Sequence, residues 1–504
     1  MIKRTRIKSG EVRGTTAADP RIIVYKGIPY ARAPIGEYRW KKPQECPTWE
    51  GVKDCIEFAP IGMQSVPGIN KENIYTREWN VDSKILMSED SLYLNIWTPA
   101  KNKEEKLPVY VWFHGGAYQW GNTAEMEFDG ERLARRGIVV VTVSYRLNVF
   151  GFLTHPDMPS TEWNLGNLDQ QFAIKWTKEN IGAFGGEADN IVIGGQSAGG
   201  GSVLSQLSCP ENKDYIKGAI IESGIWVNPF KSDFSISLEE AKQQSLDFFE
   251  FLGVKTLEEA RKLPADYIRD KNDVFGKFWG TVVDGNFCKG NLYEQIKKSE
   301  FLDVPLLMGW TDNEFFAELY GRNKRQIKEE IKRIFKEDTK KYYEFFSPKD
   351  TVEEMVKKSR FPSIEVACRL LYDVLKEQGY KENIYFYEFK GEIPGEDQPG
   401  AFHSIDLWFF FETLAKCWRP FVGKHYDLAR KMCNQWAYFI KNKNPNGKDL
   451  DGSRMSLWNP FDPAKKNIMY YEEDAQEKAK EMTKMQEFMV TYFRRQIINK
   501  EGGG

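Results

Sequence analysis

A short apolar run, Ile191-Val192-Ile193-Gly194, leads into Gly195-Gln196-Ser197-Ala198-Gly199 and then into Gly200 to Leu207, a stretch able to start a helix. No other feature limits the fold so tightly. The apolar run reads as a buried strand. A strand that becomes a helix within a few residues must bend sharply, and small neighbours allow the strained backbone this requires. Strand, G-x-S-x-G, helix is the context of a nucleophile elbow. The Ser197 hydroxyl then projects from the sheet edge, where the next helix N-terminus favours developing negative charge. The motif implies an activated serine attacking an ester-like carbonyl.

Other apolar runs have the same character. Leu92 to Trp97, Val109 to Phe113 and the nearly continuous β-branched run Ile138 to Tyr145 read as strands. Phe172 to Asn180 has helical spacing and leads to Ile191-Val192-Ile193. Ala219-Ile220-Ile221, Val304 to Met308 and Ile384 to Tyr387 add three more strands. Near-continuous apolar strands separated by helices need cover on both faces, which predicts an α/β chain with a large, mostly parallel central sheet. The charged, helically patterned stretches at about 238–271 and 323–375 fall between strands and read as helical insertions that cap the strand ends. Ordinary crossover helices would leave the same pattern. Glu473 to Gln496 reads as a closing amphipathic helix, and residues 501–504 as a flexible tail. No internal repeat or low-complexity linker interrupts residues 1–500, which are expected to form one catalytic domain.

Composition removes several classes. Of 504 residues, 41% are hydrophobic and 29% charged, which is ordinary for a soluble globular chain. A formal charge of −2 without a long basic stretch gives no support to nucleic acid as a partner. The basic start, Met1 to Lys8, has no apolar segment behind it and does not read as a secretory signal. No long uncharged apolar run could span a bilayer, so no membrane partner is expected. Seven cysteines, an odd count, do not resemble a disulfide framework, although Cys46 and Cys55 are near enough to pair in an oxidising compartment. A reduced, cytoplasmic location is expected. No metal-ligand spacing occurs, and neither metal nor organic cofactor is expected.

A serine hydroxyl needs a base to take its proton, a carboxylate to orient that base, and backbone donors for the oxyanion formed on attack. The chain has four histidines. His114 opens His114-Gly115-Gly116-Ala117 directly after a strand, which matches a glycine-rich oxyanion loop and makes His114 a structural residue. His155 and His425 carry no motif and are expected to have surface or packing roles. His403, in a loop after a strand and before an apolar helix, lies downstream of Ser197, where the base of such a site falls in chain order. The acid should end a strand between them. Asp312 and Glu314 compete for that place, while Asp284, in Val282-Val283-Asp284-Gly285, reads as a turn residue.

Further segments extend the pattern. They are Val24 to Ala31, Ser88 to Ile96, His114-Gly115-Gly116, Asn164 to Gln171 and Asn180 to Gly186. With them the chain resembles, over nearly its whole length, the type-B carboxylesterases, the family that includes the cholinesterases and bacterial p-nitrobenzyl esterases. The resemblance implies an α/β-hydrolase fold and a serine carboxylic ester hydrolase. It implies Glu314, five residues after the strand-end Gly309, as the acid, His403 as the base, and the amides of Gly115, Gly116 and Ala198 as the oxyanion hole. Ser223, in Glu222-Ser223-Gly224, matches a serine often found near the triad; a plain turn residue is the alternative. Many relatives have Glu at the position of Gln196, whereas bacterial members, among which this chain is expected to fall, often have Gln, so the departure leaves the expected catalysis in place. Many exported relatives have Cys at the position of Ser91, so their first disulfide cannot form here.

Aromatic residues make up 14% of the chain, which suits a deep apolar cleft or a large aromatic core. Tyr118, Trp120, Trp226, Trp279, Phe315 and Trp408 follow or flank the proposed site segments and are candidates to line an acyl or alcohol pocket. Such a pocket would prefer apolar or aromatic esters as small-molecule substrates. The same machinery could cleave thioesters, amides or carbamates. A non-catalytic interaction protein of the same fold would be expected to lack triad residues that are present here.

Overall fold

The computed structural model describes residues 1–70, 72–79, 82–230 and 236–499; the expected tail at 501–504 lies outside them. β-Branched and aromatic runs form eleven strands of one sheet: β1 (Thr15–Thr16), β2 (Ile23–Pro29), β3 (Tyr93–Thr98), β4 (Leu107–Phe113), β5 (Val139–Val143), β6 (Gly186–Gln196), β7 (Ile216–Glu222), β8 (Leu306–Thr311), β9 (Ile384–Phe389), β10 (Asn467–Tyr471) and β11 (Ala475–Ala479). Their order across the sheet is β11-β10-β9-β8-β7-β6-β4-β5-β3-β2-β1. From β5 to β10 every pairing is parallel; only the two ends are antiparallel. This is the α/β-hydrolase fold, with helices on both faces. Separate apolar cores fill the two sides, one containing Val111, Ile193 and Ile221 and the other Tyr110, Val192 and Ile220. Alternate residues of the same strands thus face opposite helical layers, which is why these strands are apolar throughout.

The strand order creates the site. The chain leaves β4 toward β5 but leaves β6 toward β7, so β4 and β6 are neighbours whose connections depart in opposite directions. A crevice opens at such a switch point, outside the carboxyl ends of the strands. Register aligns those ends: Phe113 lies opposite Gly195, Gln196 opposite Glu222, Glu222 opposite Gly309, and Thr311 opposite Phe389. The loops that follow carry Gly115, Ser197, Ser223, Glu314 and His403.

Three readings need correction. Gly309 lies inside β8, which continues to Thr311, because Trp310 is buried and still packs in the sheet core. Ala475–Ala479, expected as helix, is an antiparallel edge strand on β10; Ala475 is buried and the polar residues after it keep the edge solvated. The closing helix is Lys484–Asn499, started by Thr483, which accepts from the Gln486 amide at 3.2 Å while its own amide donates to the Gln486 side chain at 2.7 Å. Helices Leu238–Leu252, Leu257–Arg261 and Ala265–Phe275 lie between β7 and β8, and Lys324–Phe335 and Val352–Ser359 between β8 and β9. Ser363–Glu377, expected as the end of the second insertion, is instead a crossover helix buried against the sheet, for most of its residues are inaccessible and the apolar ones join the sheet core.

Candidate active site

Ser197 sits at φ 57° and ψ −126°, a strained backbone between β6 and the helix Ala198–Leu207. Its amide donates to the Glu222 carbonyl of β7 at 2.9 Å, which pins the bend to the sheet. The flanking glycines are sterically required: a Cβ on Gly199 would lie 2.0 Å from the Phe113 carbonyl oxygen, and one on Gly195 2.4 Å from the Gly199 backbone. The amides of Gly115, Gly116 and Ala198 donate to no protein group among the described residues. Gly115 and Gly116 line one cleft with Ser197 and His403. A Cβ on Gly115 would stand 3.2 Å from the Ser197 Cβ, so glycine lets this loop come close to the serine. Tyr145 holds the loop from behind, its hydroxyl donating to the His114 carbonyl at 2.7 Å.

Glu314 and His403 are brought together by a single backbone bridge. Asn313 pairs with Phe402, and the Asn313 amide donates to the Ala401 carbonyl at 3.0 Å. One residue further on, the Glu314 Oε2 and His403 Nδ1 share a short hydrogen bond within a buried pair. The other carboxylate oxygen accepts from the Ser223 hydroxyl and from the Thr311 amide, each at 2.7 Å. Ser223 thus combines both of its expected roles: it is a turn residue with φ 47°, and it holds the carboxylate. Asp312 points elsewhere, half-exposed and 3.3 Å from Lys390. His403 Nε2 meets the Gln196 side-chain amide at 3.2 Å, and no hydrogen bond joins it to Ser197 among the described residues.

The other three histidines are structural. His114 is buried against Tyr145, with ring centroids 4.5 Å apart, and burial pushes its pKa down to about 4. His155 stacks on Phe249 at 4.2 Å. His425 Nδ1 accepts from the Val422 amide at 2.9 Å at the start of the helix Gly423–Asn442. Asp284 accepts from the Asn286 and Cys288 amides, each at 2.9 Å, as a turn residue does.

The cleft holds about 170 Å³. Of the six aromatic candidates, Trp120 and Phe315 line it, at 44% and 50% exposure, and the Phe315 ring lies 4.4 Å from that of His403. Trp226 stands behind Phe315 at 6.5 Å. Tyr118 packs on Phe152, and Trp279 on Phe248 and Phe275 within the inserted helices. Trp408 is 0% exposed in the core, while Leu407 faces the cleft. Successive helical residues point about 100° apart, so one position separates wall from core. Tyr75, Trp79 and Phe128 complete the aromatic wall, together with the acids Glu125 and Glu127. These five gave no motif in the sequence, since the segments carrying them reach the cleft only through folding. Behind His403, Asp406 accepts from the Tyr387 hydroxyl at 2.9 Å, and burial followed by the Glu314 charge pushes its carboxyl up to about 7. Among the described residues no three His, Cys, Asp or Glu side chains gather as a metal cage.

A strained serine at a switch point, facing free amides and a histidine–glutamate pair, defines a serine hydrolase of the α/β-hydrolase class. The chain belongs to the carboxylesterase family, whose sequence profile matches residues 3–489. It is 31% identical over 469 residues to the para-nitrobenzyl esterase of Bacillus subtilis, covering 87% of this chain and 89% of that protein. It is 27% identical over 503 residues to a cholinesterase of Mus musculus, covering 90% of this chain and 80% of the other. The carboxylesterase EST55 of Geobacillus stearothermophilus superposes with a TM-score of 0.72 at 29% identity, over 94% of this chain and 97% of that one. The chain is an enzyme, a serine carboxylic ester hydrolase acting on a small-molecule ester. Among the described residues no helix is long and apolar enough to cross a membrane.

Proposed function

We propose that Ser197, His403 and Glu314 carry the reaction, with the Gly115, Gly116 and Ala198 amides as the oxyanion hole. His403 Nε2 takes the Ser197 proton as Oγ bonds to the ester carbonyl carbon. The carbonyl oxygen becomes an oxyanion held by the three amides. The carbonyl re-forms as the alcohol leaves with the proton from His403. Water, deprotonated by the same imidazole, then releases the acid and restores Ser197. Glu314 keeps the Nδ1 proton in place and stabilises the imidazolium. The hydrogen bond between Glu314 and His403, in a cleft lined by Ser197, carries this assignment. Before attack the Gln196 amide must give up Nε2 to Ser197, and its carbonyl can then accept from the protonated ring.

The walls of Tyr75, Trp79, Trp120, Phe128 and Phe315 support apolar or aromatic carboxylic esters as the substrate class. The helices between β7 and β8 and those between β8 and β9 follow strand ends that carry site residues, which supports their reading as a cap on a single catalytic domain. Seven free thiols, with Cys46 and Cys55 unpaired, support a reducing cytoplasmic setting, and the bacterial relatives a bacterial source. Hydrolysis of p-nitrophenyl butyrate tests the roles: Ser197→Ala is expected to lose about ten-thousandfold or more in kcat, and equal release by variant and wild type would refute them.

A further inference from the structure

Glu127 sits in the short turn Met126–Phe128 and lines the cleft, yet it is 0% exposed, no N–H or hydroxyl of another residue reaches its carboxyl oxygens, and the side chain that meets its carboxyl is the neighbouring acid Glu125. Other buried acids have a partner that Glu127 lacks: Glu78 pairs with Arg419 and Asp169 with Arg146 through two bonds of 2.7 Å, while Glu222 accepts from the Trp436 ring at 2.8 Å and Asp406 from the Tyr387 hydroxyl at 2.9 Å. Glu127 has no such cation among the described residues. The charged groups that act on it are acids, Glu125 and Glu78, and Glu78 is already matched by Arg419. Glu125 also lines the cleft and accepts from the Asn122 amide at 2.8 Å and the Asn122 side chain at 3.3 Å. Two neighbouring carboxyls without a cation, Glu127 buried and Glu125 half-buried, do not both ionise readily. Burial pushes Glu125 up to about 7, and burial followed by the Glu125 charge pushes Glu127 well above the carboxylate range.

A neutral carboxyl offers one O–H donor and open acceptor positions. A ligand hydroxyl can use both, accepting from one carboxyl and donating to the other, whereas an ammonium group would first have to strip the pair of its protons. We propose that Glu127, with Glu125, is a polar subsite of the cleft that recognises a hydroxyl group carried by the ester. The inference rests on the reading of this cleft as the ester site. It adds a polar requirement to an otherwise aromatic pocket, because a site built to bond a hydroxyl disfavours the analogue that lacks one.

The test compares kcat/KM for glycol monobutyrate against propyl butyrate, where a hydroxyl replaces a methyl on the alcohol, and for ethyl glycolate against ethyl propionate, where it does so on the acyl half. In at least one pair the hydroxyl-to-methyl ratio is expected to fall about tenfold from wild type to Glu127→Leu, the worth of one buried hydrogen bond. Glu127→Met serves where the leucine variant fails to fold. Glu127→Gln keeps a neutral donor and acceptor and is expected to retain the ratio within about threefold. An unchanged ratio in the leucine or methionine variant for both pairs would overturn the proposal. So would loss of the ratio in Glu127→Gln, or a Glu127-dependent preference for the choline ester of butyrate in place of the hydroxylated ester. Wild-type turnover of propyl butyrate separates the failures. With turnover and no Glu127 dependence the subsite alone falls; with no turnover of any of these esters the ester-site reading falls with it.

Discussion

Glu314 is gripped by His403, Ser223 and the Thr311 amide, whereas Asp312 has Lys390 and solvent. Removing the Glu314 charge leaves the imidazolium uncompensated, so Glu314→Gln is expected to lower kcat by roughly a hundredfold to ten-thousandfold, and Asp312→Asn by less than about twofold. Steady-state hydrolysis of p-nitrophenyl butyrate decides between them, and the reverse order would mean that the wrong carboxylate is assigned. Gln196 makes a second residue-scale prediction. Its amide touches the nitrogen that must accept the serine proton. In Gln196→Glu a carboxylate there would favour protonated imidazole, so protons would have to leave at higher pH before the base can act. The acid limb of kcat/KM is therefore expected to move up by about one pH unit; an unmoved limb, or one displaced to lower pH, would contradict this. Ser197 stood out as a candidate because it sits in a local motif, and His403 because of its loop and its place in chain order. Glu314 could be separated from Asp312 only by resemblance, since both follow the same strand and local chemistry barely distinguishes them.

At the scale of elements, the bend between β6 and the helix Ala198–Leu207 depends on backbone touching backbone. A methyl at Gly199 has no flexible side chain to displace, only the Phe113 and His114 carbonyls. Gly199→Ala is expected to destabilise the fold by about 2–3 kcal/mol or more, visible as a lowered melting temperature; an unchanged melt would show that the bend tolerates a side chain. The central strands were readable from sequence because both faces are buried and the runs are apolar throughout. The edge strand Ala475–Ala479 was not, since its alternation is polar and it merges with the charged start of the following helix. Trp408 looked like a pocket residue from its nearness to His403, but the helix Leu407–Phe410 turns it into the core. Tyr75, Trp79, Glu125 and Glu127 were invisible because nothing local marks a residue that becomes a cleft wall only when the chain folds.

Across the whole molecule, one sheet organises both the hydrophobic cores and the site, and no covalent cross-link is needed to hold it. All seven cysteines are free, and Cys55, Cys209, Cys368 and Cys433 are buried. Thiol titration of the unfolded protein without reductant is expected to count seven, with a melting temperature indifferent to reductant; a lower count would mean a disulfide and an oxidising setting. The parallel order of strands, and the switch point between β4 and β6, could be expected in outline from alternating strand and helix patterns. The pairing order itself could not, because it depends on which apolar faces meet in space. The central claim is that one serine at that switch point forms an acyl-enzyme. Quenched reaction with p-nitrophenyl butyrate followed by peptide mass spectrometry tests it most directly. A butyryl adduct on Ser197 that is absent from Ser197→Ala is the expected result; sustained turnover with no adduct, or with the adduct on another residue, would contradict the account.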